Sequence, residues 1–272
     1  PDPYVAREKI YLNKPDVITL DVEMPRMDGI SFLEKLMQHY PIPTVIVSPL
    51  TPKGSQTALK SLELGAISVI AKPTLDISSS LNIIGAEIIT AVKVAAKSNL
   101  SAIRNSVKYV QKHTSSSVLK TKAMIRTTRQ VLAIGASTGG TEALKVLLPM
   151  LPATIPPTVI VQHMPPVFTS SFAAHLNQIT SFEVKEAEDG EILAGGKALI
   201  APGNFHMQVT RQGAQYYARL NQGPHVHSVR PSADVLFESV AEYVGSNAIG
   251  VILTGMGKDG AGGLKKMKES HL

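Results

Sequence analysis

Short apolar runs alternate with helical stripes along the first third of the chain. "DVITL" (16–20), "TVIV" (44–47) and "ISVIA" (67–71) are strand-length runs of Val, Ile and Leu. Between them stand "ISFLEKLMQHY" and "GSQTALKSLELG", whose apolar residues recur three and four positions apart. Leu33, Leu36, Met37 and Tyr40 fall on one face of the first predicted helix. Leu59 and Leu62 do so in the second, which Gly65 can end. A further helical segment is predicted from about Leu81. Near-continuous strands joined by helices imply a parallel sheet covered on both faces. The pattern lapses over residues 97–129. It resumes with "VLAI" (131–134), a helix carrying Leu144, Leu147 and Leu148, "TVIV" again (158–161) and "AIGVILT" (248–254). The expectation is an α/β protein of two doubly wound parallel-sheet domains, residues 1–96 and 130–272, with a linker at 97–129.

The lapse in pattern is also where the charge sits. Residues 97–129 carry Lys97, Arg104, Lys108, Lys112, Lys120, Lys122, Arg126 and Arg129 and no acidic residue, which exceeds the whole net charge of +6. The basicity therefore belongs to one segment whose polar composition reads as a solvated linker, with an acidic partner surface or membrane headgroups as the alternative, and no nucleic-acid partner is expected. The absence of cysteine excludes disulfides, thiolate nucleophiles and cysteine metal sites. No apolar stretch reaches the roughly 18 to 20 residues that span a bilayer, and no signal-like segment opens the sequence. A cytoplasmic protein without membrane insertion is expected.

In an open parallel sheet, sites form outside the carboxyl ends of the strands. Three polar residues fall there in the first domain: Asp21 after "VITL", Ser48 after "TVIV" and Lys72 after "ISVIA". Each alone reads as a cap or a solvated group. Together, a carboxylate, a hydroxyl and an ammonium could hold a transferred phosphoryl group, with Asp21 as acceptor and Ser48 and Lys72 on its oxygens.

The second domain opens on "VLAIGASTGGTEALKVLL". "GASTG" satisfies G-x-S-x-G, with a strand before it and a helix after it, so Ser137 stands on a tight strand-to-helix turn. Backbone N–H groups at that helix start can receive negative charge. Three readings of the turn remain: nucleophile, anion site, or plain turn. P-loop and dinucleotide fingerprints fail, because Thr141 replaces the P-loop lysine and Ser137 the second glycine. A serine nucleophile needs a base. His163 follows the strand in "PPTVIVQHMPP" and should share the sheet edge with Ser137. His206 is less well placed, His175 sits mid-helix, and His225 and His227 in "GPHVHS" lack a third metal ligand. The carboxylate orienting the base is Asp259 in "GMGKDGAGG" or Asp234 in "RPSADVLFESV". Asp259 is favoured by its place at a strand's carboxyl end, Asp234 being suited to the start of its own helix. The chain order Ser, His, Asp differs from that of the α/β-hydrolase fold. Backbone N–H groups near Thr138 and Met256 are candidates for the oxyanion site.

"LDVEMPRMDG" and "AKP" resemble the receiver domain of bacterial response regulators, a flavodoxin-like fold in which the aspartate matching Asp21 is phosphorylated by a histidine kinase. Mg²⁺ is implied for that step. The receiver's acidic pair and first strand are expected to lie outside this sequence, so its metal site is expected to be incomplete. "IGASTGG", "QHMPP", "VKEAEDGE", "IAPG", "RPSADVLF" and "GVILTGMGKDG" resemble the catalytic domain of the chemotaxis protein-glutamate methylesterases, the CheB family. That resemblance implies a Rossmann-like domain with a Ser137, His163 and Asp259 catalytic triad and no cofactor. It also implies glutamate methyl esters of chemoreceptors as substrates, deamidation of receptor glutamines, and a receiver that occludes the esterase until Asp21 is phosphorylated. The family's final elements are expected to lie beyond "MKESHL".

Overall fold

The structure is a computed structural model that describes residues 3–49, 51–72, 77–98, 130–255 and 257–270. The chain divides into two compact units, Pro1–Gln111 and Lys112–Leu272. Most of the expected linker, residues 99–129, lies outside the described residues, while Lys97 closes a helix of the first unit.

The first unit runs α1 (Pro3–Leu12), β1 (Ile18–Asp21), α2 (Gly29–His39), β2 (Thr44–Pro49), α3 (Pro52–Glu63), β3 (Ser68–Lys72) and α4 (Ile77–Lys97). Its three strands are parallel in the order β1-β2-β3. Asp28 caps α2 by accepting the Ser31 N–H at 2.9 Å and the Ser31 hydroxyl at 2.8 Å. Thr51 caps α3 through the Gly54 N–H at 2.9 Å, with Pro52 at the first turn. The buried stripe of α2 is Phe32, Leu33 and Leu36. Tyr40, placed on that face by its spacing, stands beyond the helix end and is 40% exposed. The helix α4 starts at Ile77, four residues ahead of the predicted Leu81. The helix α1 has no sequence signal because it has no apolar stripe: Tyr11 and Leu12 are exposed. Val45, Ile67, Ile70, Val94 and Ala95 form a core between the sheet and α4.

The second unit runs β4 (Val131–Ala136), α5 (Gly140–Leu147), β5 (Thr158–Gln162), α6 (Phe168–Ile179), β6 (Glu183–Glu186), β7 (Lys197–Ile200), β8 (His206–Gln212), β9 (Gln215–Asn221), α7 (Ala233–Tyr243), β10 (Ala248–Ile252) and α8 (Ala261–Glu269). Five strands make a parallel sheet in the order β10-β4-β5-β7-β6. From β4 the chain moves to β5 on one side, then returns to lay β10 on the other, which is a topological switch point. The register pairs Ala136 with Gln162 and Gly135 with Ile252, so the segments after β4, β5 and β10 leave the sheet at one edge. The antiparallel hairpin β8-β9, which His206 opens, has no counterpart among the expected strands. Met207 and Val209 are buried while Gln208 and Thr210 are less so, an alternation too short to announce a strand beside stronger signals.

The core of this unit joins β4, β5, the hairpin and α7. The helix α7 lies close on β4: a Cβ added to Gly135 would stand 2.9 Å from Ala233 Cβ and 3.1 Å from the Phe237 ring. Phe237 is fully buried there. Among the described residues no helix is long and apolar enough to cross a membrane. Phe237→Ala is expected to destabilise this unit by about 3 to 5 kcal/mol, because a buried aromatic ring and its contacts are removed together. Denaturant unfolding of parent and variant measures it; a loss below about 1 kcal/mol would contradict the packing described.

Candidate active site

Ser137 leaves the end of β4 in a tight turn. Its N–H donates to the Thr254 carbonyl at 3.0 Å, and its own carbonyl accepts the Gly140 N–H at 2.7 Å. Gly139 takes φ +75° in that turn, a region open to glycine. A Cβ on Gly140 would stand 2.2 Å from Gln162 Oε1, so β4, β5 and the start of α5 approach too closely there for any larger residue. The sequence "STGG" is thus the local condition for bringing the hydroxyl to the sheet edge.

His163 follows β5 directly, and its N–H donates to the Ala136 carbonyl at 3.2 Å, which continues the ladder one residue past the strand. Its Nδ1 lies 3.0 Å from Ser137 Oγ, and its Nε2 lies 2.7 Å from Asp259 Oδ2. With Nε2–H donating to the carboxylate, Nδ1 carries the lone pair that can accept the serine proton. The ring is therefore turned end for end relative to the chymotrypsin arrangement, in which Nε2 faces the serine. The His163 and Asp259 side chains are 18% and 6% exposed. Beside them is a shallow cleft lined by Ser137, His163, Ile252, Thr254, Gly255 and Asp259.

Asp259 is surrounded by donors. Oδ1 accepts the Ser232 hydroxyl at 2.5 Å and the Asp234 N–H at 3.2 Å. Oδ2 accepts the Ala233 N–H at 2.7 Å as well as His163. Burial pushes the carboxyl up, but the hydrogen bonds from His163, Ser232 and the amides of Ala233 and Asp234 outweigh it and hold the group at about 2.

The alternative acid, Asp234, accepts from Gly263 N–H at 2.6 Å and pairs with His227 Nε2 at 2.9 Å. It ties α7 to α8 and to the His227 loop, a wider role than a charge at its own helix start. His227, Asp234 and Asp259 place potential ligand atoms within 4.8 Å of one another. The Asp259 oxygens are already taken by four protein donors, so the group is a hydrogen-bonded cluster. His206 is buried at 2% exposure with both ring nitrogens bonded, and His225 is exposed. Gln162 escaped the sequence reading. Its Nε2 donates to the carbonyls of Ser137 at 2.9 Å and His163 at 3.2 Å, joining the two turns. A polar residue closing an otherwise apolar strand was its signal. The Thr138 carbonyl accepts the Thr254 hydroxyl at 3.1 Å, and Met256 lies outside the described residues.

In the first unit, Asp21 Oδ2 meets Lys72 Nζ at 2.6 Å, while Oδ1 accepts the Glu23 N–H at 3.0 Å. Ser48 follows one residue past Asp21's register partner Val47, but it is fully buried and donates to the Gly54 carbonyl at 3.2 Å. Two of the three predicted residues are thus joined directly, and the third is adjacent with its hydroxyl turned to the loop. Among the described residues no group of three or more His, Cys, Asp or Glu ligands gathers around Asp21. The residues described there do not fit a Mg²⁺ site.

A parallel α/β unit with a serine, an imidazole and a carboxylate in line at its switch point, preceded by a unit with a strand-end Asp–Lys pair, defines a receiver-linked hydrolase class. Residues 132–272 match the CheB methylesterase family, and residues 1–81 match the response regulator receiver domain. This chain belongs to the CheB methylesterase family. It is 57% identical over 99% of its length, and 75% of the relative's, to the protein-glutamate methylesterase/protein-glutamine glutaminase of Bdellovibrio bacteriovorus. It is 51% identical to a protein of the same name from Syntrophus aciditrophicus, covering 99% of this chain and 77% of that one. The crystal structure of the Thermotoga maritima CheB methylesterase catalytic domain is similar over 52% of this chain and 76% of its own, at 43% identity and a TM-score of 0.51.

The depressed Asp259 carboxyl has a consequence for acid stability. A carboxyl lowered in the folded state contributes stability that is present above its unfolded value and lost as pH falls through its folded one. The stability gap between the parent and Asp259→Asn is therefore expected to be constant near neutrality and to close between about pH 4 and about pH 2. Denaturant unfolding of both proteins across that range is the measurement, and a gap that stays constant down to the acid end refutes the assignment.

Proposed function

We propose that this chain is a protein-glutamate methylesterase and protein-glutamine glutaminase acting on chemoreceptors, with Ser137, His163 and Asp259 as its catalytic triad. The observation that carries the reading is the unbroken line from Ser137 Oγ through the His163 ring to Asp259. His163 Nδ1 takes the hydroxyl proton as Ser137 Oγ attacks the ester carbonyl. Asp259 stabilises the imidazolium through Nε2. The imidazolium then gives its Nδ1 proton to the departing methoxide, and methanol leaves an acyl-serine. A water molecule, deprotonated by the same nitrogen, attacks the acyl carbon and releases the glutamate carboxylate and the serine hydroxyl. With a glutamine substrate, ammonia leaves in place of methanol. No cofactor takes part in these steps.

The oxyanion needs donors at the turn. The N–H groups of Ser137 and Gly140 are committed to the Thr254 and Ser137 carbonyls, which keeps the Thr138 amide as a candidate. Met256 is proposed as a second donor. The receiver match and the Asp21–Lys72 pair support regulation by phosphorylation of Asp21, with a chemotaxis histidine kinase as donor. Ser48 and Lys72 are proposed as its switch residues. Units 1–96 and 130–272 with a linker at 97–129 remain the proposed division of labour.

Two measurements test the triad. Ser137→Ala is expected to lose on the order of 10³-fold or more in methanol release from a methylated receptor fragment, and all labelling by a fluorophosphonate probe. Retention of more than about a tenth of the parent rate would remove Ser137 as nucleophile. Asp259→Asn should fall by a comparable order, because the amide selects the wrong imidazole tautomer and cannot stabilise the imidazolium. Asp234→Asn keeps a hydrogen-bonding group toward Gly263 and His227 and should cost mainly stability. If Asp234→Asn is the inactive protein and Asp259→Asn the active one, the triad assignment is wrong.

A further inference from the structure

The carboxylate that orients His163 is itself oriented from one short stretch, "RPSAD". Ser232 is fully buried at the start of α7. As a helix cap it needs only to accept, and it does accept the Val235 N–H, at 3.4 Å. That is the long end of a hydrogen bond. Its single proton goes to Asp259 Oδ1 at 2.5 Å, a short charge-assisted bond and the stronger of the two. The serine is therefore committed more tightly to the carboxylate than to its own helix.

Ser232 is also held from behind. Its N–H donates to His206 Nδ1 at 3.1 Å, and His206 Nε2 donates to the Pro224 carbonyl at 2.9 Å. Accepting at one nitrogen and donating at the other fixes that buried ring in a single orientation. His206 opens β8, so the hairpin determines where the Ser232 backbone stands. The connection runs His206, Ser232, Asp259, His163, Ser137 without a gap.

We propose that Ser232 is a positioning residue of the esterase, its buried hydroxyl fixing the rotation of the Asp259 carboxylate so that Oδ2 stays on His163. The proposal rests on the Ser137–His163–Asp259 reading above. Rotation of an Asp carboxylate about its last bond is soft, with no sharp staggered minima to hold it. Donors on both oxygens restrain it: the Ser232 hydroxyl and the Asp234 N–H on Oδ1, the Ala233 N–H and His163 on Oδ2. Without the Ser232 hydroxyl, Oδ1 keeps the Asp234 N–H alone, at 3.2 Å. The carboxylate, then held mainly through the Ala233 N–H and His163 on Oδ2, can turn about that oxygen, and a changed angle to the ring reaches the rate through the geometry of proton transfer.

The test uses the full chain and reads kcat and KM for methanol release, the rate of fluorophosphonate labelling, and the melting temperature. Ser232→Ala is expected to lower kcat on the order of 10- to 100-fold with KM unchanged. Ser232→Thr, which restores the hydroxyl, should return to within about threefold of the parent. The deciding comparison is the Asp259→Asn background, where Ser232→Ala should leave the residual labelling rate unchanged, because the group it orients is gone. A cap serving only the helix would lower the melting temperature and cost the same rate factor in both backgrounds. That result overturns the proposal. If the alanine variant does not fold, Ser232→Gly takes its place, since glycine is accepted at a helix start and lacks the hydroxyl; full activity in that variant also overturns it. A parent chain that neither labels nor releases methanol would instead sink the functional reading, and is separable because it needs no Ser232 variant.

Discussion

A carboxylate withdrawn from water at the start of a helix is the constraint to which the rest of the second unit conforms. Burying a charge is costly unless donors replace the water it loses. Asp259 is 6% exposed and meets that condition with two amides of the first turn of α7, a serine hydroxyl and an imidazole. The helix N-terminus supplies N–H groups that have no partner within the helix and a field that favours negative charge. A side chain from a loop after β10 therefore completes a helix that begins 26 residues earlier in the chain. The same contact holds the negative charge where an imidazolium can form against it.

Topology makes that contact possible. β4 lies between β5 and β10, so the turns after all three strands open on one edge. Ser137 comes from the first, His163 from the second, and the Asp259 loop from the third. α7 must lie close over β4 for its first turn to reach Asp259, and Gly135 permits this by offering no side chain beneath Ala233 and Phe237. Packing and chemistry are thus decided by the same approach of helix to strand. Gln162 adds a second tie, from the end of β5 to the carbonyls of both Ser137 and His163.

What the sequence made legible follows from what is local. Strand-end residues can be placed by counting, because a parallel sheet puts the ends of its strands together. Asp21, Lys72, Ser137 and His163 were found this way, and Ser137 and His163 stand 3.0 Å apart. The direction of the imidazole was not legible, since it depends on which ring nitrogen meets a residue 96 positions further on. The role of Ser232 was not legible, because a helix cap and a donor to a distant carboxylate share one residue type. No strand was legible at His206, because two alternating apolar residues, Met207 and Val209, are too few to declare one. Tyr40 was misplaced because helical spacing continued past the residue at which the helix stops.

Two aspartates close the comparison. Asp21 and Asp259 both stand at the carboxyl edge of a parallel sheet, yet their surroundings suit them to opposite tasks. Asp21 ends β1, its side chain is 38% exposed, and it is held by one ammonium and one local amide. Its carboxylate retains lone pairs directed to solvent, as an oxygen that is to form a bond with an incoming phosphoryl group requires. Asp259 is enclosed, and each of its oxygens accepts two donors. Those bonds disperse its charge, lower its basicity to about 2 and leave it unfit to attack anything. A carboxylate in that condition is suited to holding a cation beside it without accepting the proton itself. The difference between a candidate nucleophile and a candidate orienting group is here one of donor count and exposure, set by what the fold places around the same side chain.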